Sequence, residues 1–379
     1  MFVYSNFLHF FYELSFLFNG GISFSHSDEW KEQKRYSLRV LRDFGFGKSS
    51  MEGVIHEELQ KLTESLDQKC GKSMNMRYTF NLSIVNGLWA ICTGNQMAIN
   101  DPKLIKMVEQ IDRIMTMTAE GKIFNGFPWL RHIAPKASGW DECVTIVNDL
   151  VAFIEATMKP YIASFSEDGK PYTTLWIVKL YSMFNKFADQ PQNYIQSFLQ
   201  HMTASKNEGS FQGERGLQNL RSNLLDFLFA GSETTSTALN WSMLLMAKYG
   251  DVQTQVQQEL DNICGRERLP SATDRSNLHY TEAVVNEILR FTTIAPLAVP
   301  HYTFTDIWTS DKKYHIPAGT TIFPNLYQVT HNPQVFKNPE EFNPDRFLDD
   351  ENRFSKNDHN IVFGIGMRLS SSNSFLNLT

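Results

Sequence analysis

The chain has 379 residues, of which 42% are hydrophobic and 20% charged, with a formal net charge of −6. That length suffices for one large domain or two average ones, and the composition is that of a folded globular protein. Acids and bases are interspersed without a basic block, which excludes nucleic acid as a first choice of partner. Cys70, Cys92, Cys143 and Cys264 lie far apart and form no C-x-x-C pair. This argues against a zinc site or a dense disulfide framework, and for buried free thiols in a reducing compartment.

In chain order, the first 21 residues, MFVYSNFLHFFYELSFLFNGG, are strongly aromatic, broken by Glu13 and without a positive flank. They meet the pattern neither of a spanning helix, which needs ~20 mostly apolar residues, nor of a secretory signal. They fit a stretch lying in a membrane interface, or the ragged start of a truncated chain. Ser27, Asp28 and Glu29 read as a helix start, after which Trp30, Lys34 and Leu38 share one face. Residues 76–118 are mostly helical in pattern, with Leu82, Val85, Leu88 and Trp89 on one stripe, and Gly126-Phe127-Pro128 breaks the run. A helix is predicted over 139–164. Residues 172–187 are apolar but too short to cross a bilayer. The longest helical signal covers 216–249 and stops at Gly250, Asp251 opens another that ends at Gly265, and a further helix covers 281–290. The period then changes. Residues 301–323 alternate in short runs that read as small β hairpins, and the proline-bearing 331–349 reads as a long loop. The predicted fold class is mainly α with a small β part.

Several groups of residues could carry chemistry. AGSETT at 230–235 sits in mid-helix, where a glycine costs ~1 kcal/mol relative to alanine. Small Ala230 and Gly231 would let a large flat object approach the backbone. Thr234 could return its hydroxyl to the carbonyl of Ala230, and Glu233 sets a carboxylate beside that groove. Together they could deliver protons to a bound oxygen species. A plain helix crossing through small residues explains the motif equally well. Glu287 and Arg290, at i,i+3, would alone be an ordinary surface pair worth little. Arg346, in the irregular FNPDRF segment, adds a third charge that would fasten that loop to the helix. His301 follows Val-Pro at a helix-to-strand junction, where a lone histidine is more often structural than a ligand. Trp30, Lys34, His301 and Arg368 are donors that would suit a dianionic ligand edge if they converge, which spacing does not show.

The order of the pieces is specific: W-x-x-x-K, A-G-S-E-T-T, E-x-x-R, P-H, F-x-P-x-R-F and F-G-x-G-x-R. From Asn19 to Arg368 the chain resembles the cytochrome P450 family, in particular its microsomal family-2 type. The resemblance implies a P450-like fold and haem held through a cysteine thiolate. It implies insertion of one atom of O2 into a small apolar substrate, with electrons from NADPH through a reductase partner, at the endoplasmic reticulum membrane. By residue, it implies that Ala230 and Gly231 leave an oxygen groove and that Glu233 and Thr234 guide protons. It implies that Glu287, Arg290 and Arg346 form a structural triad, that Trp30, Lys34, His301 and Arg368 bind the haem propionates, and that Ala295 and Val299 face the substrate. Lys34 stands where the family usually has arginine, keeping the charge without the planar fork.

The family's haem loop runs F-x-x-G-x-R-x-C-x-G. Phe363, Gly366 and Arg368 fit it, but the ligand position is Ser370 and the closing glycine position is Ser372. The sequence therefore offers no metal ligand in the loop. It departs from the family at both ends as well. The resulting expectation is an aberrant segment at 1–29, a partial P450 domain at 30–368 and an aberrant tail at 369–379. The chain would then be an incomplete, inactive product of a monooxygenase gene. The alternative is a non-catalytic relative that binds an apolar ligand or regulates a full-length partner. Only residues 1–18 could act as a membrane anchor.

Overall fold

Helix α1, Ser27–Asp43, carries Asp28 and Glu29 in its first turn and Arg42 in its last, each with the sign that complements the helix dipole. Trp30, Gln33, Tyr36, Ser37, Val40 and Leu41 are its buried stripe, repeating at three and four residues. In the computed structural model the described residues are 20–45, 49–74, 76, 78–119, 129–164, 191–204 and 209–366. The chain divides into two compact units, Met1–Glu233 and Thr234–Thr379.

The first unit continues with α2 (Ser49–Asp67), α3 (Thr79–Thr93), α4 (Pro102–Ala119), two single turns at Leu130–Ile133 and Pro135–Ser138, α5 (Trp140–Ser164) and α6 (Tyr194–Ala204). It takes in the first part of α7 (Gly213–Lys248), the long helix read from the sequence as 216–249. Helix α3 packs on α2 and α4, α4 on α5, and α6 against α1, α3 and α5. The single pattern over 76–118 is in fact two helices. Gly94 ends α3 in the left-handed region at φ 76°, which an L side chain rarely adopts. Asp101 then accepts the N–H of Lys103 at 2.8 Å and Pro102 opens α4, two start signals inside a run whose apolar period hides them. The break at 126–128 and the apolar stretch 172–187 lie outside the described residues.

The centre of this unit is an aromatic box with a polar floor. Phe198 is fully buried, 5.5 Å from the ring of Tyr36, 6.0 Å from Tyr194 and 5.2 Å from Phe211. Beside it, Asn223 donates to Gln33 Oε1 at 2.9 Å and to Tyr194 Oη at 3.0 Å, and Gln33 donates to Ser210 Oγ at 2.8 Å. Tyr194 Oη and Ser37 Oγ lie 2.7 Å apart. These polar groups are buried and depend on one another for partners.

The segment before α1 is clamped to α7. Asp226 Oδ2 accepts the backbone N–H groups of Ile22 at 2.8 Å and Ser23 at 2.9 Å, and Asn219 Oδ1 accepts that of Gly21 at 2.8 Å. The side chain of Asn219 and the Asp226 carboxyl lie so close that a Cβ on Gly20 would strike Asn219, and one on Gly21 would come 2.7 Å from Asp226 Oδ2. Arg215 completes the clamp with a two-pronged pair to Glu29, at 2.6 and 2.8 Å. Burial pushes the Asp226 carboxyl up to about 6, against the pull of the two N–H donors. Between about 4 and about 6 the folded form then holds more proton than the unfolded chain, so stability falls as pH rises through that window. Unfolding in urea at a series of pH values is expected to show a loss of up to about 3 kcal/mol across it. Asp226→Asn, which keeps the acceptor oxygen, should flatten the slope. An unchanged slope in that variant would assign the pH dependence elsewhere.

The second unit holds the end of α7, then α8 (Gly250–Ile263), a 3-10 turn at Asp274–Asn277, α9 (His279–Thr292), four two-residue strands, α10 (Leu326–Thr330) and a 3-10 turn at Pro344–Phe347. Gly250, expected to stop one helix, instead opens the next, with Tyr249 as the only residue between them. Strand β1 (His301–Tyr302) pairs antiparallel with β4 (Thr321–Ile322), and β2 (Ile307–Trp308) with β3 (His315–Ile316). Helix α9 is the hub: it packs on α8 and on the Pro344–Phe347 turn. Leu245, Val284, Ile288 and Phe342 form one core cluster; Ala283, Phe336 and Phe347 form another. The chain is thus mainly α with a small β part.

Candidate functional site

The most fully determined arrangement is in the second unit. Glu287 and Arg290, one turn apart on α9, are both fully buried. They form a two-pronged pair, Arg290 Nε to Glu287 Oε2 at 2.7 Å and Nη2 to Oε1 at 2.9 Å. Arg346 Nε reaches Glu287 Oε1 at 3.1 Å, and the same oxygen accepts the backbone N–H of Asn343 at 2.9 Å. The remaining guanidinium N–H groups go to backbone carbonyls. Arg290 serves Thr330 at 3.0 Å and Pro339 at 2.9 Å; Arg346 serves Lys337 at 2.8 Å and Glu341 at 3.0 Å. The stretch 331–346 has little regular structure to satisfy its carbonyls, and the two arginines do so in its place. The three residues read from the sequence as a triad meet.

Below α9, Phe363 and Gly366 line a groove of about 320 Å³ together with Asn286, Leu289, Asn360 and Ile361. The turn is closed by the N–H of Gly364 on the carbonyl of Ile361, and Gly364 and Gly366 take φ values of 81° and 86°. Asn360 donates to the carbonyl of Asn286 at 3.3 Å, while its own side-chain oxygen is buried without a partner among the described residues. Arg368, Ser370 and Ser372 lie outside the described residues.

On α7, Gly231 faces Leu88 of α3: a Cβ there would come 2.7 Å from Leu88 Cδ1. The glycine lets α7 approach Leu88 of α3 closely at this point. Ala230 and Thr234, one turn apart, are exposed. Ser232 returns its hydroxyl to the carbonyl of Leu228 at 2.6 Å. Glu233 is held by Asn81 of α3, whose Nδ2 donates to Oε1 at 2.8 Å. Trp30 is buried on α1 and Lys34 lies over its ring, 5.2 Å from the centroid. His301 lies in β1 of the second unit and is exposed. Ala295 and Val299 are exposed on a turn closed by the N–H of Ala298 on the carbonyl of Ala295.

Two holding residues were missed by reading the sequence. Asp226 was signalled by an acid inside the apolar run LLDFLF, and Asn81 carries no signal beyond an amide near a helix start.

The chain belongs to the cytochrome P450 family: the family model described as Cytochrome P450 matches residues 5–369. Among relatives, it is 32% identical to cytochrome P450 2D1 of Rattus norvegicus over 357 residues, covering 92% of this chain and 64% of the relative. It is 31% identical to cytochrome P450 2J2 of Homo sapiens over 355 residues, with the same coverage of each chain. With cytochrome P450 2B19 of Mus musculus it shares 30% over 351 residues, covering 92% of this chain and 66% of the relative. The chain spans just under two thirds of the length of these relatives.

The family implies haem, and the donor set bears on whether this chain suits it. The loop position for the thiolate is Ser370, and the four cysteines lie elsewhere. Cys70 is exposed; Cys92, Cys143 and Cys264 are buried. Burial pushes the thiols of Cys92 and Cys143 up to about 12, so neither is a thiolate at neutral pH. Among the described residues no group of three or more His, Cys, Asp or Glu could hold a metal. These residues do not fit a thiolate-held haem.

Proposed function

We propose that the chain has the scaffold of a haem-dependent monooxygenase acting on a small apolar substrate, and that the sequence as it stands does not carry out that chemistry. The observation that carries this reading is Ser370. A serine hydroxyl stays protonated where a cysteine would ionise beside a metal, and it lacks the electron donation that favours O–O cleavage. In the scaffold, Glu233 and Thr234 are the proposed proton carriers, beside an oxygen groove at Ala230 and Gly231. Trp30, Lys34, His301 and Arg368 are the proposed propionate donors, and Ala295 and Val299 the proposed substrate contacts. Glu287, Arg290 and Arg346 hold the segment that leads to the haem loop. The family's partners, a reductase fed by NADPH and the endoplasmic reticulum membrane, belong to the same proposal. No helix among the described residues is long and apolar enough to cross a membrane.

The test is the carbon monoxide difference spectrum of the reduced full chain, expressed with haem supplied. The shifted band of a thiolate-ligated haem is expected to be absent. Its appearance would refute the inactive reading and require another sulfur at the iron.

The same serine favours a second reading, a non-catalytic relative that binds an apolar ligand or regulates a full-length partner. Saturable binding of an apolar fluorescent probe, without a haem absorbance band, would distinguish it.

A further inference from the structure

The connection between α8 and α9 presents two arginines and a serine on exposed chain. Gly265, at φ 72°, turns the backbone out of α8, and a Cβ there would meet nothing within 4 Å. From Gly265 to Pro270 every residue is exposed and none is in a helix or strand. The spacing R-x-R-x-x-S, from Arg266 to Ser271, occurs once in the chain.

Each arginine is paired with one acid. Arg266 Nε donates to Asp261 Oδ2 at 3.1 Å, and Arg268 takes both oxygens of Asp274, at 2.6 and 2.9 Å. The side chain of Arg266 is 81% exposed and that of Arg268 47%, so both pairs stand in water. Such a contact is worth about 0–1 kcal/mol, and another carboxylate can take its place. Ser271 is half-buried at the end of the run. Its backbone N–H is fixed on Asp274 Oδ2 at 2.8 Å, while its hydroxyl meets its own turn, 3.1 Å from Thr273 Oγ1 and accepting the Thr273 N–H at 3.3 Å.

We propose that Ser271 is a phosphorylation site, taking the γ-phosphoryl group of a nucleoside triphosphate from a protein kinase whose carboxylates bind Arg266 and Arg268. The serine oxygen attacks the γ-phosphorus, the bond to the diphosphate leaving group breaks, and the serine proton passes to the kinase's base. The chain supplies the acceptor and the two guanidinium forks, three and five residues before it, that match carboxylates two-pronged. The product carries a charge of about −1.5 to −2 beside Asp274. Arg268, and after it the Ser271 N–H, hold the Asp274 carboxyl well below the usual carboxylate range, so it stays charged. Phosphate and carboxylate then compete for Arg268. Asp274 also accepts Cys264 Sγ at 3.6 Å, so it ties the end of α8 to the turn that precedes α9, and loss of its arginine loosens that tie. The site does not depend on the haem chemistry proposed above.

The experiment is phosphorylation of the folded full chain with magnesium ATP and a purified protein kinase selective for arginine three and five residues before serine, with mass spectrometry to place the phosphate. One phosphate is expected, on Ser271, and none there in Ser271→Ala. Arg266→Gln with Arg268→Gln should lower kcat/KM at Ser271 at least about tenfold while the hydroxyl remains. An unchanged circular dichroism melt is expected for these variants and confirms folding. A synthetic peptide covering 262–276 is the open reference, and the folded chain should react within about tenfold of its rate, the cost of breaking two exposed pairs. Phosphate on the peptide but none on the folded chain overturns the proposal. So does phosphate placed only at other residues, or an unchanged rate at Ser271 in the double arginine variant. After phosphorylation, amides of 264–278 should exchange faster with solvent; unchanged exchange overturns the competition for Arg268.

Discussion

Replacing Glu287 by alanine is expected to unfold the second unit or leave it on the edge of unfolding. The carboxylate is fully buried and takes Arg290 on both oxygens, Arg346 on one and the Asn343 N–H on the same one. Its removal strands a guanidinium with no exposure at all and a second with little. Breaking a buried pair from one side costs about 3–5 kcal/mol, a large part of the 5–15 kcal/mol that holds a typical domain. Glu287→Gln keeps the shape and loses the charge, and should fall between the parent and Glu287→Ala. Hydrogen exchange of peptides covering α9 and 330–347, with urea unfolding, reads the effect. A change below about 1 kcal/mol in Glu287→Ala would mean that water reaches the arginines.

The second large effect is expected in the first unit from Phe198→Ala. The ring is fully buried among Tyr36, Tyr194 and Phe211, residues of three different segments, so no single one can move in to fill the space. Such a deletion costs about 3–5 kcal/mol. Tyr194→Phe is the control. It leaves the packing and removes only the hydroxyl shared by Ser37 and Asn223, for about 1–3 kcal/mol. The thermal midpoints should therefore rank parent, Tyr194→Phe, Phe198→Ala in falling order. The reverse order of the two variants would show that the polar floor, rather than the aromatic box, carries this unit.

What the sequence reading reached, and what it did not, follows from the range of the forces concerned. The long helix α7 and the helices α5 and α9 announce themselves by period, and α1 by its acids, although its buried stripe of Trp30, Gln33, Tyr36, Ser37, Val40 and Leu41 is not the Trp30, Lys34 and Leu38 face read from the sequence. The gap between α3 and α4 escaped, because the apolar stripe runs on either side of Gly94 and the capping of Lys103 by Asp101 is a local signal within a longer pattern. Helices α2 and α6 were not identified as separate elements. Of the candidate residues, Glu287, Arg290 and Arg346 were legible because two share a helix face and the third sits in an otherwise shapeless segment. The clamp of Asp226 on Ile22 and Ser23 was not, since it joins positions about two hundred apart and depends on backbone N–H groups, which every residue but proline offers. Gly231 was legible as a small residue. That its neighbour is Leu88 could only be seen in three dimensions.

The arginines of α9 and the Pro344 turn hold their loop by its carbonyls, and a carbonyl is the same whatever side chain follows it. Recognition of this kind does not read the sequence. Gln334 and Lys337 are exposed, so they can be exchanged for residues of different size or charge while the path of the chain stays put. The demands fall instead on the three charged side chains, on the spacing between them, and on Phe336 and Phe342, which the loop buries in the two core clusters. A surface loop whose course is fixed from within and whose exterior is open to change is a place where a fold can alter what it presents to its surroundings without altering itself.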